Sequence, residues 1–110
     1  PDLAADCTIE LLSTAPPVVA AVDSELYGVL VRAITDHDPD GVPLPVMAPF
    51  ATDNKHLMRL DVPAYGFSPL RLDAGEAYLE RYHGVDERVS LDALRWGLPV
   101  LYDAVRRFCG

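Results

Sequence analysis

At 110 residues, half of them hydrophobic and 24% charged, the chain has the balance of one packed domain and not of a disordered tail. Nine Lys and Arg against 17 Asp and Glu leave a net charge of −8, which argues against nucleic acid and anionic membrane as partners. No apolar run approaches the roughly 20 residues of a membrane-spanning helix.

In chain order, Asp6 to Leu12 alternates as a strand, with Cys7, Ile9 and Leu11 on one side and Thr8 and Glu10 on the other. Pro16-Pro17 then bars both helix and inner strand. Asp23 or Ser24 caps a helix that starts at Glu25, in which Leu26, Val29, Leu30, Ala33 and Ile34 recur at helical spacing. Turn chemistry over Asp36–Gly41 ends it. The acidic run imitates the opening of a calcium loop, but the twelfth position, where a bidentate glutamate belongs, is Met47. Val42–Met47 reads as an edge strand weakened by Pro43 and Pro45. Thr52 or Asp53 caps a short helix carrying Leu57, Met58 and Leu60, and Val62–Phe67 is a further apolar strand. Arg71–Tyr82 is loop-like, with a turn or two of helix around Glu76–Arg81.

Ser90 caps the last helix. There Leu91, Leu94, Leu98, Leu101, Val105 and Phe108 step by three and four, and Pro99 is expected to kink the helix without breaking the stripe. Strand, helix, strand, helix, strand, loop, helix predicts an α/β layer with a mainly parallel sheet. Cys7 and Cys109, near opposite ends, are expected to be buried thiols, which accords with a reducing, cytoplasmic setting.

The segment His83-Gly84-Val85-Asp86-Glu87-Arg88 holds the strongest chemistry. Imidazole is the commonest metal ligand, a glycine lets backbone approach what the ring holds, and a nearby carboxylate such as Glu87 can orient the second ring nitrogen. The bland reading is a loop histidine hydrogen-bonded to Asp86 or Glu87. One histidine cannot hold a catalytic zinc, which takes about three protein ligands and an open position. Thr52-Asp53 forms a second candidate, because a hydroxyl and a carboxylate at a strand-to-helix junction sit beside amides able to meet an anionic substrate group; capping alone also explains both residues. His56 reads as a surface or core-edge histidine, and Ser24, Ser68 and Ser90 lack the glycine-flanked elbow of a serine hydrolase.

Four elements, taken in order, carry a resemblance that runs through almost all of the chain: Asp23-Ser24-Glu25-Leu26-Tyr27, Ala51-Thr52-Asp53, Val62-Pro63-Ala64-Tyr65-Gly66-Phe67-Ser68-Pro69 and His83-Gly84-Val85-Asp86-Glu87-Arg88-Val89-Ser90. The sequence resembles the C-terminal portion of the zinc-dependent exopeptidases and deacylases, the group of Gly-Xaa carboxypeptidase, glutamate carboxypeptidase, aminoacylase, acetylornithine deacetylase and succinyl-diaminopimelate desuccinylase. The resemblance implies a three-layer α/β/α catalytic domain holding one or two zinc ions, with residues 1–14 as the last lid-domain strand and connector and 15–110 as the C-terminal part of that domain. It implies His83 as a metal ligand, Thr52 and Asp53 near the substrate, and a peptide or N-acyl amino acid as substrate. Ala51 stands where the family usually has glycine, and Lys55 where arginine is common.

The family's other ligands and its general-base glutamate belong upstream of Pro1, so the chain is expected to be part of a longer protein, inactive alone, with the missing N-terminal part as its partner. Self-association into a homo-oligomer is a further expectation, since incomplete layers leave apolar surfaces uncovered. The competing expectation is a non-catalytic α/β binding or interaction module with a degenerate metal site.

Overall fold

The computed structural model describes residues 7–110, apart from the side chains of Tyr78 and Leu79. Four helices occur in it: α1 (Glu25–His37), α2 (Asn54–Met58), α3 (Tyr78–Arg81) and α4 (Leu91–Cys109). Among the described residues there is no strand and no sheet. This corrects the expected α/β architecture. The stretches read as strands, 7–12, Val42–Met47 and Val62–Phe67, run extended without a backbone ladder. Alternation and β-branched residues show that a segment suits a pleated surface, and only a neighbouring backbone makes it a strand. Pro43, Pro45 and Pro63 also remove donors that a ladder needs. Residues 1–6, the opening of the expected lid strand, lie outside the described residues.

The two long helices form where their caps predict. Ser24 is extended, and its Oγ accepts from the Tyr27 amide at 3.1 Å; Ser90 does the same for the Ala93 amide at 3.0 Å. Pro99 lies inside α4, which nevertheless runs on to Cys109. The helices α1 and α4 are the only pair in contact among the described residues. Their shared core is small: Val29 and Ala33 from α1 meet Val100 and Ala104 from α4, with Leu30, Ile34, Phe67 and Trp96 packed around them.

The face of α4 that meets α1 is not the leucine stripe. Its buried residues are Ala93, Gly97, Val100 and Ala104, a row of small side chains at spacings of four, three and four. The six large residues of the stripe are exposed, from 44% at Leu101 to 69% at Leu98. Small side chains let backbones approach closely, and Gly97 shows how closely. A Cβ built there would lie 1.8 Å from the Pro69 carbonyl oxygen, so the 67–70 segment is laid directly on the helix.

A second tie fixes the other extended segment to α1. The Tyr65 hydroxyl donates to the Ala21 carbonyl oxygen at 2.5 Å and accepts from Ser24 Oγ at 2.5 Å, while its ring leans on Tyr27 with centroids 5.7 Å apart. The α1 cap and the Tyr65 segment thus share one hydroxyl. At the C-terminal end of α1, Arg107 bridges Asp36 and Asp103, each at 2.7 Å, and His37 Nε2 lies 3.6 Å from the same Asp103 carboxylate. The side-chain hydrogen bond from Arg107, aided by its charge and by His37 and Arg106, holds the Asp103 carboxyl below its ordinary value despite some desolvation. Its bonds to Asp103 and Asp36 raise the Arg107 guanidinium in turn.

The accessible surface is 9030 Å² for a 12.0 kDa chain, where a compact fold of that mass exposes about 6,000 Å². The radius of gyration, 18.0 Å, likewise exceeds the ~13 Å of a compact domain of this length. Much of the excess is apolar: Leu12, Val42, Leu44 and Val46 stand out in solvent, as do Cys7 and Cys109, which correct the expected buried thiols.

Candidate functional site

The loop between α3 and α4 carries His83. The last turn of α3 closes with the Gly84 amide donating to the Arg81 carbonyl oxygen at 3.1 Å, and His83 takes a left-handed backbone, φ 55°. Asp86 does the same at φ 60°. For a residue with a Cβ, that conformation costs on the order of 1–2 kcal/mol, though His and Asp tolerate it better than most. Gly84 serves the turn itself: a Cβ there would lie 3.3 Å from the carbonyl oxygens of both Glu80 and Arg81. The glycine therefore answers to the packing of its own turn and not to the approach of a ligand. Arg81 in turn reaches back to Glu76 at 2.6 Å, tying α3 to the preceding loop, while Glu76 Oε2 is buried with no hydrogen-bond partner among the described residues.

The imidazole of His83 faces solvent, and neither ring nitrogen makes a hydrogen bond or ion pair among the described residues. Its ring leans on that of Tyr82, centroids 6.3 Å apart. The bland reading, a histidine tied by Asp86 or Glu87, is thus not what the loop does. Glu87 is exposed and makes no bond to the ring, and Arg88 donates to the Asp86 backbone carbonyl at 3.3 Å, leaving both carboxylates unneutralised by it.

Thr52 and Asp53 lie at the start of α2. Thr52 Oγ1 accepts from the Asn54 amide at 3.3 Å, and Asp53 makes no side-chain cap. Of the two caps considered, the hydroxyl serves and the carboxylate is left to solvent. What joins this segment to His83 is Phe50, whose ring lies 6.4 Å from that of Tyr82. The row Phe50–Tyr82–His83 brings together two segments more than thirty residues apart in sequence. No periodicity signalled that contact; the aromatic residues flanking each motif were the available clue. His56 is exposed, as read, and His37 belongs to the ion cluster of the helix pair.

No family model, curated protein or solved structure matches this chain. The likeness to zinc exopeptidases stands on the quoted motifs alone. Among the described residues, no three His, Cys, Asp or Glu side chains gather in a way that would hold a metal ion. A lone imidazole with non-bonded carboxylates three and four residues on does not fit a complete zinc site. Among the described residues, no helix is long and apolar enough to cross a membrane.

Proposed function

We propose that the chain is part of a metal-dependent amidohydrolase or exopeptidase acting on peptides or N-acyl amino acids, to which it contributes His83 as one metal ligand. The remaining ligands and the general base come from polypeptide beyond these 110 residues. The observation that carries this reading is the placement of His83: a solvent-facing ring with both nitrogens unengaged, held in a left-handed turn and joined through Tyr82 and Phe50 to the Thr52-Asp53 segment. Strained backbone that presents an unsatisfied ligand-type side chain is a signature of functional loops, and here it coincides with the motif of the resemblance. Thr52 and Asp53 then lie beside the substrate, and Glu87 becomes a supporting carboxylate only when a partner reshapes its loop. The uncovered apolar residues Leu12, Val42, Leu44 and Val46 agree with a chain that works against further polypeptide.

Zinc added to the purified chain and followed through the imidazole NMR signals tests the assignment. The His83 signals move first and weakly, His56 follows as an ordinary surface imidazole, and His37, beside Asp103, moves last. No turnover of an N-acyl amino acid accompanies this. Equal responses at all three rings would remove His83 from its role. Tight stoichiometric binding with turnover would show instead that the chain is complete in itself.

A further inference from the structure

The leucine stripe of α4 is an unpartnered surface with a specific spacing. Leu91, Leu94, Leu98, Leu101, Val105 and Phe108 alternate by three and four over the whole helix, which is the a/d pattern of a coiled-coil seam and narrower than the broad stripe of a helix lying on a core. The small-residue row Ala93, Gly97, Val100 and Ala104 falls at c and g of the same heptads and is already buried, Val100 and Ala104 against α1 and Gly97 beneath the Pro69 carbonyl. Pro99 falls at b, away from both seams. No charged residue interrupts the a/d positions. The charges on α4 are Asp92, Asp103, Arg95, Arg106 and Arg107, so this helix is close to balanced and little of the −8 net charge of the chain lies on the seam helix itself.

We propose that two copies of this chain pair through the α4 seam. Area favours that occupant. The exposed parts of the six seam residues, with Tyr102 beside them at an e position, offer roughly 700 Å² per chain, near the ~800 Å² each partner contributes to a stable interface and above the largest apolar patch of most monomers. The seam is also preformed: α1 holds α4 helical from its other side, so pairing need not order it. At the C-terminal half, Leu101, Val105 and Phe108 border an apolar groove of about 240 Å³ shared with Leu26 and Leu30 of α1. It gives a side chain of the second copy somewhere to insert. A two-fold pair through one helix is self-complementary, so the same six residues serve both chains.

Sedimentation equilibrium of the 110-residue chain across the micromolar range tests this, with Leu98→Glu and Val46→Glu as variants. The wild type runs at twice 12.0 kDa. Leu98 is 69% exposed, so its replacement leaves the α1–α4 core intact, which retained far-ultraviolet helicity confirms. Because each substitution is met twice in a two-fold pair, Leu98→Glu weakens dimerisation by about 100-fold or more. Val46→Glu, in an exposed extended segment away from the seam, leaves the dimer unchanged. A monomeric wild type, larger aggregates, or a dimer indifferent to Leu98→Glu overturns the proposal.

Discussion

Gly97→Ala is the sharpest test of how this fold is held together. In an ordinary helix interior, replacing glycine by alanine stabilises by about 0.8–1 kcal/mol. At Gly97 the new Cβ would sit 1.8 Å from the Pro69 carbonyl oxygen and 3.0 Å from its carbon. Van der Waals contact between carbon and oxygen needs about 3.2 Å or more, so helix and segment must part by over an ångström, an overpacking cost of roughly 1–3 kcal/mol or above. Gly97 is buried and the two nearest atoms belong to the Pro69 backbone, so no flexible side chain can yield in their place. A backbone clash this deep belongs in the upper part of that range, about 2–3 kcal/mol, so subtracting the helix gain leaves a net loss of about 1–2 kcal/mol, which for a chain of this size lowers the melting temperature by roughly 5–15 °C. Gly28→Ala is the matched control: its Cβ would meet only the end of the Arg32 side chain, at 3.5 Å, and it should stabilise by about 0.4–1 kcal/mol. Thermal and urea unfolding followed by far-ultraviolet circular dichroism measures both. If Gly97→Ala melts at or above the wild type, the 67–70 segment does not lie on α4 and the packing argued here is wrong.

Two further outcomes can be checked with the same apparatus. Tyr65→Phe removes the hydroxyl shared by Ala21 and Ser24 while keeping the ring against Tyr27, and should cost about 1–2 kcal/mol; an unchanged urea midpoint would mean the 62–67 segment is not tied to the α1 cap. The Asp103 carboxyl titrates below its ordinary value because Arg107 hydrogen-bonds it, so its folded pKa lies under the unfolded one of about 4. Its contribution is therefore present above that value and is lost as the pH falls through the folded pKa. Asp103→Asn should flatten the fall of stability on acidification, and a slope identical to the wild type would count against the bridge.

The helices were legible in the sequence because their determinants are local. Ser24 and Ser90 announce their own caps, and the helical recurrence of Leu26, Val29, Leu30, Ala33 and Ile34 lies within a single helix. The strands were not, because a strand is a relation between backbones. Val42-Pro43-Leu44-Pro45-Val46-Met47 has the composition of one, yet nothing among the described residues pairs with it. The choice of packing face was hidden for a different reason. Hydropathy ranks Leu above Ala and Gly, so the leucine stripe dominates any periodicity reading of α4. Which stripe meets α1, however, depends on how near the two axes can come, and there Ala104 beside Val100 wins by being small, while Gly97 makes room for the Pro69 carbonyl. For His83, its motif was visible but not its left-handed backbone, since no local residue pattern demands a positive φ at a histidine.

That turn also explains why the site is a loop and not part of the helix pair. Every buried residue of α1 and α4 is apolar, and the polar groups that join the helices, Asp36, Asp103, Arg107 and His37, satisfy one another. The proposed ligand role of His83 requires a side chain outside such a network, since its partners would compete with the ligand for the same atoms. His83 escapes that competition through two features: a left-handed turn that carries it past α3, and neighbours that are aromatic, offering ring contact through Tyr82 and Phe50 but no hydrogen bond to its nitrogens. The helix pair supplies the rigid end of the loop at Ser90, where the cap fixes the start of α4. The freedom of the imidazole is thus a product of packing on both sides of it.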